Sequence, residues 1–287
     1  MFYLEGAMHM RKINFTKMHA CGNDYIYISG ADVLCAQELA QLLTNRNTSI
    51  GGDGIVLLFP SDVADIKIRI YNPDGSEAMM CGSSIRCVGK YLHDRDIVKK
   101  NRLSVETVSG IKDIIIVEDG GNSALVQVDM GQVVLQPSKI PVDISGEMAV
   151  ARSVNIDGKT YEITCVSMGT PHAVIFVDDL DHFALKATGL AFENSPLFPE
   201  GINLGVAQII DRQNIALRVW ERGTGETMSS GTSACAATVA AVLMGYADKE
   251  SDITVAQAGG ALAVNYSDKS VLLTGACVKS YEGVVEV

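Results

Sequence analysis

Residues 77–87 read EAMMCGSSIRC, and residues 226–235 read ETMSSGTSAC. They are one phrase written twice, with a Cys exchanged for a Ser. Cys81 and Ser230 stand 149 residues apart in a chain of 287. The register extends outward without a gap. Ile68-Arg69-Ile70-Tyr71 falls on Leu217-Arg218-Val219-Trp220, Glu77 on Glu226, Met79 on Met228, Gly82 on Gly231, Ser84 on Ser233 and Gly110 on Gly259. An apolar/basic strand, a Gly/acid turn and a helix start in one register mark a duplicated unit. The expected fold is α/β, in two pseudo-symmetric halves. Each half is a strand-rich, barrel-like layer around one central helix, with a site in the cleft between them. Residues 1–132 are assigned to the first half and 133–276 to the second. The C-terminal strand, 277–287, is expected to cross back to the first.

The rest of the chain fits this unit. Short β-branched runs recur at 25–28, 55–59, 66–71, 114–117, 173–177, 215–220 and 271–273. Gly, Asp, Asn and Pro bound them, the punctuation of strands. Helical periodicity is clearest at 36–44, 84–93 and 232–244, and the last stops at Gly245. A strand pattern begins only at Ile13, so the leading MFYLEGAMHMRK reads as an extension. It has neither the apolar core nor the cleavage site of a secretory signal.

Composition narrows the function classes. With 47% apolar and 20% charged residues the chain can bury a large core as a soluble globule. A net charge of −11 without a Lys/Arg block argues against nucleic acid or anionic membrane as partner. No apolar run approaches the ~20 residues of a membrane span. The seven Cys are odd in number and lack the close spacing of a zinc site. They read as free, mostly buried thiols of a reducing cytoplasm. Cys87 and Cys235, about two turns into their helices, read as packing residues.

Each copy of the phrase places Cys or Ser, then Gly, then two small polar residues at a helix start. A helix N-terminus carries free N–H groups and partial positive charge. Small residues let a ligand reach that backbone, and two such ends facing one cleft would hold a carboxylate. The same field favours a thiolate, which makes Cys81 a candidate base. One copy alone is equally an ordinary N-cap. Two copies in register point to a site. A group on each face of one carbon is what inversion of a stereocentre needs. One group removes the α-proton, the other delivers a proton to the opposite face, and the helix ends take up the developing charge.

Seven stretches then resemble a known family: FTKMHACGNDY (15–25), GGDG (51–54), NPDGSEAMMCGSSIRC (72–87), VSMGTPHAVIFVDD (166–179), FPEGIN (198–203), RVWERGTGETMSSGTSACA (218–236) and AGG (258–260). The family is diaminopimelate epimerase, a cofactor-independent amino-acid epimerase of lysine and cell-wall biosynthesis. The resemblance runs from about Phe15 to the C-terminus. It implies that Cys81 is one of two catalytic thiols and that Ser230 stands where the second should be. His172 and Glu221 match the pair that assists proton transfer. Gly82, Ser83, Gly231 and Thr232 match the backbone donors to the reacting carboxylate. Asn23, Asn72, Asn203 and Arg222 match substrate contacts. The resemblance further implies a homodimer, a small-molecule amino-acid substrate, no metal and no pyridoxal phosphate. Without it these residues have ordinary readings. His172 would be structural, Asn23-Asp24 and Asn72-Pro73-Asp74-Gly75 turns, and Glu221-Arg222 a solvated pair.

The chain also departs from the family. A hydroxyl at Ser230 is a far poorer base than a thiolate. Ser230 is either an engineered replacement that stops turnover or a natural divergence. Other departures favour divergence of the pocket: Ser83-Ser84 for Asn-Gly, Thr170 for a substrate-contacting Asn, Ala20-Cys21 for Gly and an apolar residue, Gly54 for Gln, and Ser233 for Gly. Thr170 and Ser83 lose amide donors, while Arg222, Asn72 and Asn203 still suit a distal carboxylate. The leading expectation is epimerisation of LL- to meso-diaminopimelate. The alternatives are a racemase of another amino acid such as a basic one, a Cys/Ser lyase of a substituted amino acid, and a non-catalytic binder.

Overall fold

The computed structural model describes residues 11–79 and 81–287. The extension read at the N-terminus falls mostly outside the described residues. The first half opens with β1 (Lys12–Ala20) and β2 (Asn23–Ser29), then α1 (Ala36–Leu43). It continues through β3 (Gly54–Phe59), β4 (Ile66–Tyr71), β5 (Glu77–Ala78) and α2 (Gly82–Asp94). The strands β6 (Arg102–Thr107), β7 (Gly110–Asp119) and β8 (Ser123–Asp129) complete it. After β9 (Arg152–Ile156), the second half repeats the order. It runs β10 (Lys159–Ser167), β11 (Pro171–Phe176), α3 (Leu185–Glu193), β12 (Asn203–Asp211), β13 (Asn214–Glu221) and β14 (Gly225–Thr227). Then follow α4 (Gly231–Leu243), β15 (Asp252–Gln257), β16 (Gly260–Tyr266) and β17 (Val271–Glu286). From β1 to β8, every element begins within two residues of its equivalent at the 149-residue offset.

The pairings repeat as well. β1/β2 and β10/β11 are antiparallel, while β2/β3 and β11/β12 are parallel. β3/β4 and β12/β13 are antiparallel, and β4/β6 and β13/β15 parallel. The first layer closes on itself. β7 pairs β8, β8 pairs β17, and β17 pairs β1, an eight-stranded barrel. In the other direction the chain leaving β8 reaches the second layer, where Val134 bridges Ser167 at the end of β10.

The strands follow from alternation. In β4, IKIRIY, the Ile side chains are buried and Lys67, Arg69 and Tyr71 point the other way. The central helices follow from composition. In α4 residues 234–237 and 239–241 are wholly buried, and a helix apolar on all sides must lie inside. Its Ala-rich surface is narrow enough for a ring of strands to wrap. It ends where Gly245 adopts φ +78°, a conformation that glycine takes without strain. Side chains of α2 and α4 share one apolar core with both sheets, while α1 and α3 pack on the outer faces.

Helix α3 goes unseen in the sequence for a physical reason. It lacks a capping side chain at Ala184 and carries Gly189 in its middle. That glycine lies against Trp220, where an added β-carbon would come within 2.2 Å of the indole. Close packing decides the residue, at the expense of helix propensity. All seven cysteines are free, and Cys87 and Cys235 are packed in the core as their helix positions imply. No helix among the described residues is long and apolar enough to cross a membrane.

Candidate functional site

The two central helices present their N-termini to each other. A β-carbon added to Gly231 would lie 3.9 Å from the Gly82 Cα and 2.9 Å from the Leu273 side chain. Glycine at both first helical positions is therefore what lets the ends approach. Cys81 and Ser230 precede them in extended conformation, with φ/ψ of −140°/119° and −136°/118°. The first intrahelical bonds are Ile85 N–H to Cys81 and Ala234 N–H to Ser230, at 3.1 and 3.0 Å. The preceding N–H groups have no intrahelical acceptor, as at any helix start. Ser230 Oγ accepts from Ser233 N–H at 3.4 Å, whereas Cys81 makes no such cap.

Beside these ends lies a cleft of about 850 Å³ between the halves. From the first half it is lined by Asn23, Tyr25, Arg46, Asp53 and the Asn72-Pro73-Asp74 turn. From the second it is lined by Glu221, Arg222 and Thr227 to Ser229. A depression of similar size on the outside of α3 contains none of the motif residues.

The internal symmetry assigns unequal chemistry to the two faces. At the 149-residue offset Asn23 is equivalent to His172, and Asn72 to Glu221. The Cys81 face therefore carries two amides, and the Ser230 face an imidazole and a carboxylate. Asn23 Nδ2 lies 4.0 Å from Cys81 Sγ, and its Oδ1 is buried without a partner among the described residues. Burial, and next the nearby Cys81 thiol, raises the Tyr25 phenol well above its usual range. On the other face Glu221 Oε1 accepts from Thr227 Oγ at 3.0 Å. Burial raises the Glu221 carboxyl, with hydrogen bonds from Ser230 and Thr227 opposing. His172 is fully enclosed; its Nδ1 lies 3.3 Å from Ser233 Oγ and its Nε2 3.0 Å from Thr170 Oγ. Burial, and secondarily the charge of Arg222, holds it down to about 3, so it is neutral at neutral pH.

The remaining residues flagged in the sequence fall around this centre. Gly82, Ser83, Gly231 and Thr232 form the first turns of α2 and α4. Asn203 Oδ1 accepts from Arg222 N–H at 2.9 Å, and its amide donates to the Pro171 carbonyl at 3.0 Å, so it fixes the turn that bears Arg222. Arg222 reaches back to the Glu200 carbonyl. Asn72 is tied within its own turn, donating to Ser76 Oγ at 3.0 Å. Thr170 is engaged by His172; like Cys81, Ser230, His172, Asn203 and the first residues of α2 and α4, it lies outside the cleft lining itself.

Sequence reasoning missed several contributors. Gln257 clamps the backbone of Ser230, accepting its N–H at 2.8 Å and donating to its carbonyl at 3.4 Å. Lys17, Asp24, Arg46 and Asp53 form an ion-pair network directly beside Asn23. Burial alone would raise Asp24, but Arg46 and Lys17 outweigh it and bring it to about 2. Tyr25 lay in an apolar run and read only as strand. Its signal was Gly54: a β-carbon there would stand 2.6 Å from the Tyr25 ring, so the glycine and the phenol go together.

The diaminopimelate epimerase family model matches residues 15–136 and 164–283. This chain belongs to the diaminopimelate epimerase family. It is 46% identical to the diaminopimelate epimerase of Acetivibrio thermocellus, over 96% of this chain and 99% of that one. It is 44% identical to that of Desulfovibrio desulfuricans, over 94% and 97%. Among solved structures, a hydroxyproline epimerase from Agrobacterium vitis with bound trans-4-hydroxy-L-proline aligns with a TM-score of 0.70 at 14% identity, covering 96% and 93%. A phenazine biosynthesis protein of the PhzF family from Bacillus anthracis aligns with a TM-score of 0.70 at 20% identity, covering 97% and 100%. These distant likenesses establish the shared fold. As a member of the family the chain is an isomerase, and the family serves lysine biosynthesis.

Proposed function

We propose that this protein inverts the α-carbon of diaminopimelate, interconverting the LL and meso forms, with Cys81 on one face and Ser230 on the other. The observation that carries the reading is the meeting of two helix N-termini over one cleft, each preceded by a proton-bearing side chain. The reacting carboxylate takes the free N–H groups of Gly82, Ser83, Gly231 and Thr232. The unpaired Asn23 Oδ1 accepts from the α-ammonium. Cys81 exchanges the α-proton on its face. On the other face Glu221, whose carboxyl is raised by burial, works with Ser230: it delivers the proton and, once ionised, supplies for the reverse direction the base that a serine lacks. Arg222, oriented by Asn203, and Asn72 receive the distal group.

A second reading has its own support. Thr170 stands where the family has a substrate-contacting Asn, and its hydroxyl is engaged by His172 at 3.0 Å, which favours a substrate with a different far end. The test is incubation of the chain with LL-diaminopimelate and with a panel of other α-amino acids, followed by chiral chromatography. Inversion of diaminopimelate alone supports the first reading. Inversion of a basic amino acid with diaminopimelate untouched establishes the second. Release of a keto acid from a substituted amino acid would replace both with a lyase.

A further inference from the structure

Arg86, one turn into α2, is fully buried. Long side chains on a helix run back toward its N-terminus, and Nη1 of Arg86 donates to the Gly82 carbonyl at 3.0 Å. Its Nε and Nη2 have no hydrogen-bond partner among the described residues, and no carboxylate there pairs with it. Lys90, one turn further along, is equally buried but is matched by Asp94 at 2.7 Å and Asp119 at 3.3 Å. The two cations share a helix, and only Arg86 stands without a counter-ion.

Its surroundings are the site itself. A β-carbon on Gly231 would lie 3.7 Å from Nη1 and one on Gly82 3.9 Å, while one on Gly275 would lie 3.3 Å from Nε. The guanidinium therefore sits beneath both helix ends. The titratable groups that feel its charge are the thiols Cys87, Cys235 and Cys277. Burial pushes Cys235 up to about 12 and raises Cys87, so neither is a counter-ion. Cys277 alone is drawn down, first by its hydrogen bond with Cys87, with burial opposing.

An unpaired buried cation is strongly destabilising, and here two helix N-termini add partial charge of the same sign. The arrangement becomes favourable when an anion lies over the helix ends. We propose that Arg86 is the buried counter-charge of the reacting carboxylate, a positioning residue that acts from beneath the two helix ends without touching the ligand. This rests on the placement of that carboxylate under the proposed function.

The test compares the parent chain with Arg86→Met, Arg86→Lys and Cys277→Ala, by thermal unfolding and by titration with meso-diaminopimelate and the amino-acid panel. Arg86→Met is expected to melt no lower than the parent without ligand, and to bind roughly tenfold or more weakly. Arg86→Lys keeps most of the affinity, and Cys277→Ala keeps all of it. An Arg86→Met chain that unfolds, or that binds like the parent, overturns the assignment, as does lost binding in Cys277→Ala. A parent that binds none of the amino acids sinks the functional reading and this assignment together. Normal binding by both parent and Arg86→Met removes only the assignment.

Discussion

Under the proposed function Glu221 and Ser230 serve the face opposite Cys81. A buried carboxyl keeps its proton to higher pH than a free Glu, so in that role Glu221 returns one to the carbanion and, once ionised, serves as the base that Ser230 is too weak to be. Glu221→Gln should lower kcat by roughly 100-fold or more and erase one limb of the pH–rate profile. An unchanged profile in steady-state assays would remove Glu221 from the proton path. Ser230→Cys should accelerate inversion by roughly tenfold or more, since a thiol supplies its own base. Cys81 and Ser230 were legible because the phrase that holds them is repeated. His172 and Glu221 needed the family resemblance, because a lone His before an apolar run looks structural. Tyr25, Gln257 and Arg86 were not legible. Each acts through a contact made by distant segments, and nothing local distinguishes an arginine under a helix end from one on a surface.

At the level of elements, the residues that precede α2 and α4 differ at one atom, sulfur in Cys81 and oxygen in Ser230. Ser230 caps α4, and Cys81 leaves α2 uncapped. Ser230→Ala should therefore lower unfolding free energy by about 1 kcal/mol in urea titration, and Cys81→Ala by less. The alanine surface of α4 has no room inside its layer. Ala237→Leu should be destabilising by about 1–3 kcal/mol, and a neutral result would mean the core is looser than its complete burial implies. The central helices and the β-branched strands were readable from periodicity. Helix α3 was not, because Trp220 demands a glycine in its middle. The short β5 and β14 were not, because two or three paired residues carry no period.

For the molecule as a whole, the internal repeat governs both architecture and asymmetry. β17 runs through both layers, pairing β16 and β8 near its start and β1 near its end. The enclosed His172 links the fold to pH. Its folded value of about 3 lies below the 6.5 of an unfolded histidine, so its contribution is present above pH 6.5 and is lost as pH falls toward 3. His172→Gln should reduce the slope of stability against pH in that window by up to about 1.4 kcal/mol per pH unit. Glu221 works in the reverse sense, favouring the fold at low pH and losing that contribution as pH rises through its raised value. The two-faced site itself is tested most directly by following LL-diaminopimelate in deuterated water, before equilibrium, by NMR and mass spectrometry. Proton transfer from opposite faces predicts deuterium at the α-carbon of newly formed meso product, while recovered LL substrate keeps its hydrogen. Equal labelling of substrate and product, or no label in either, would contradict it.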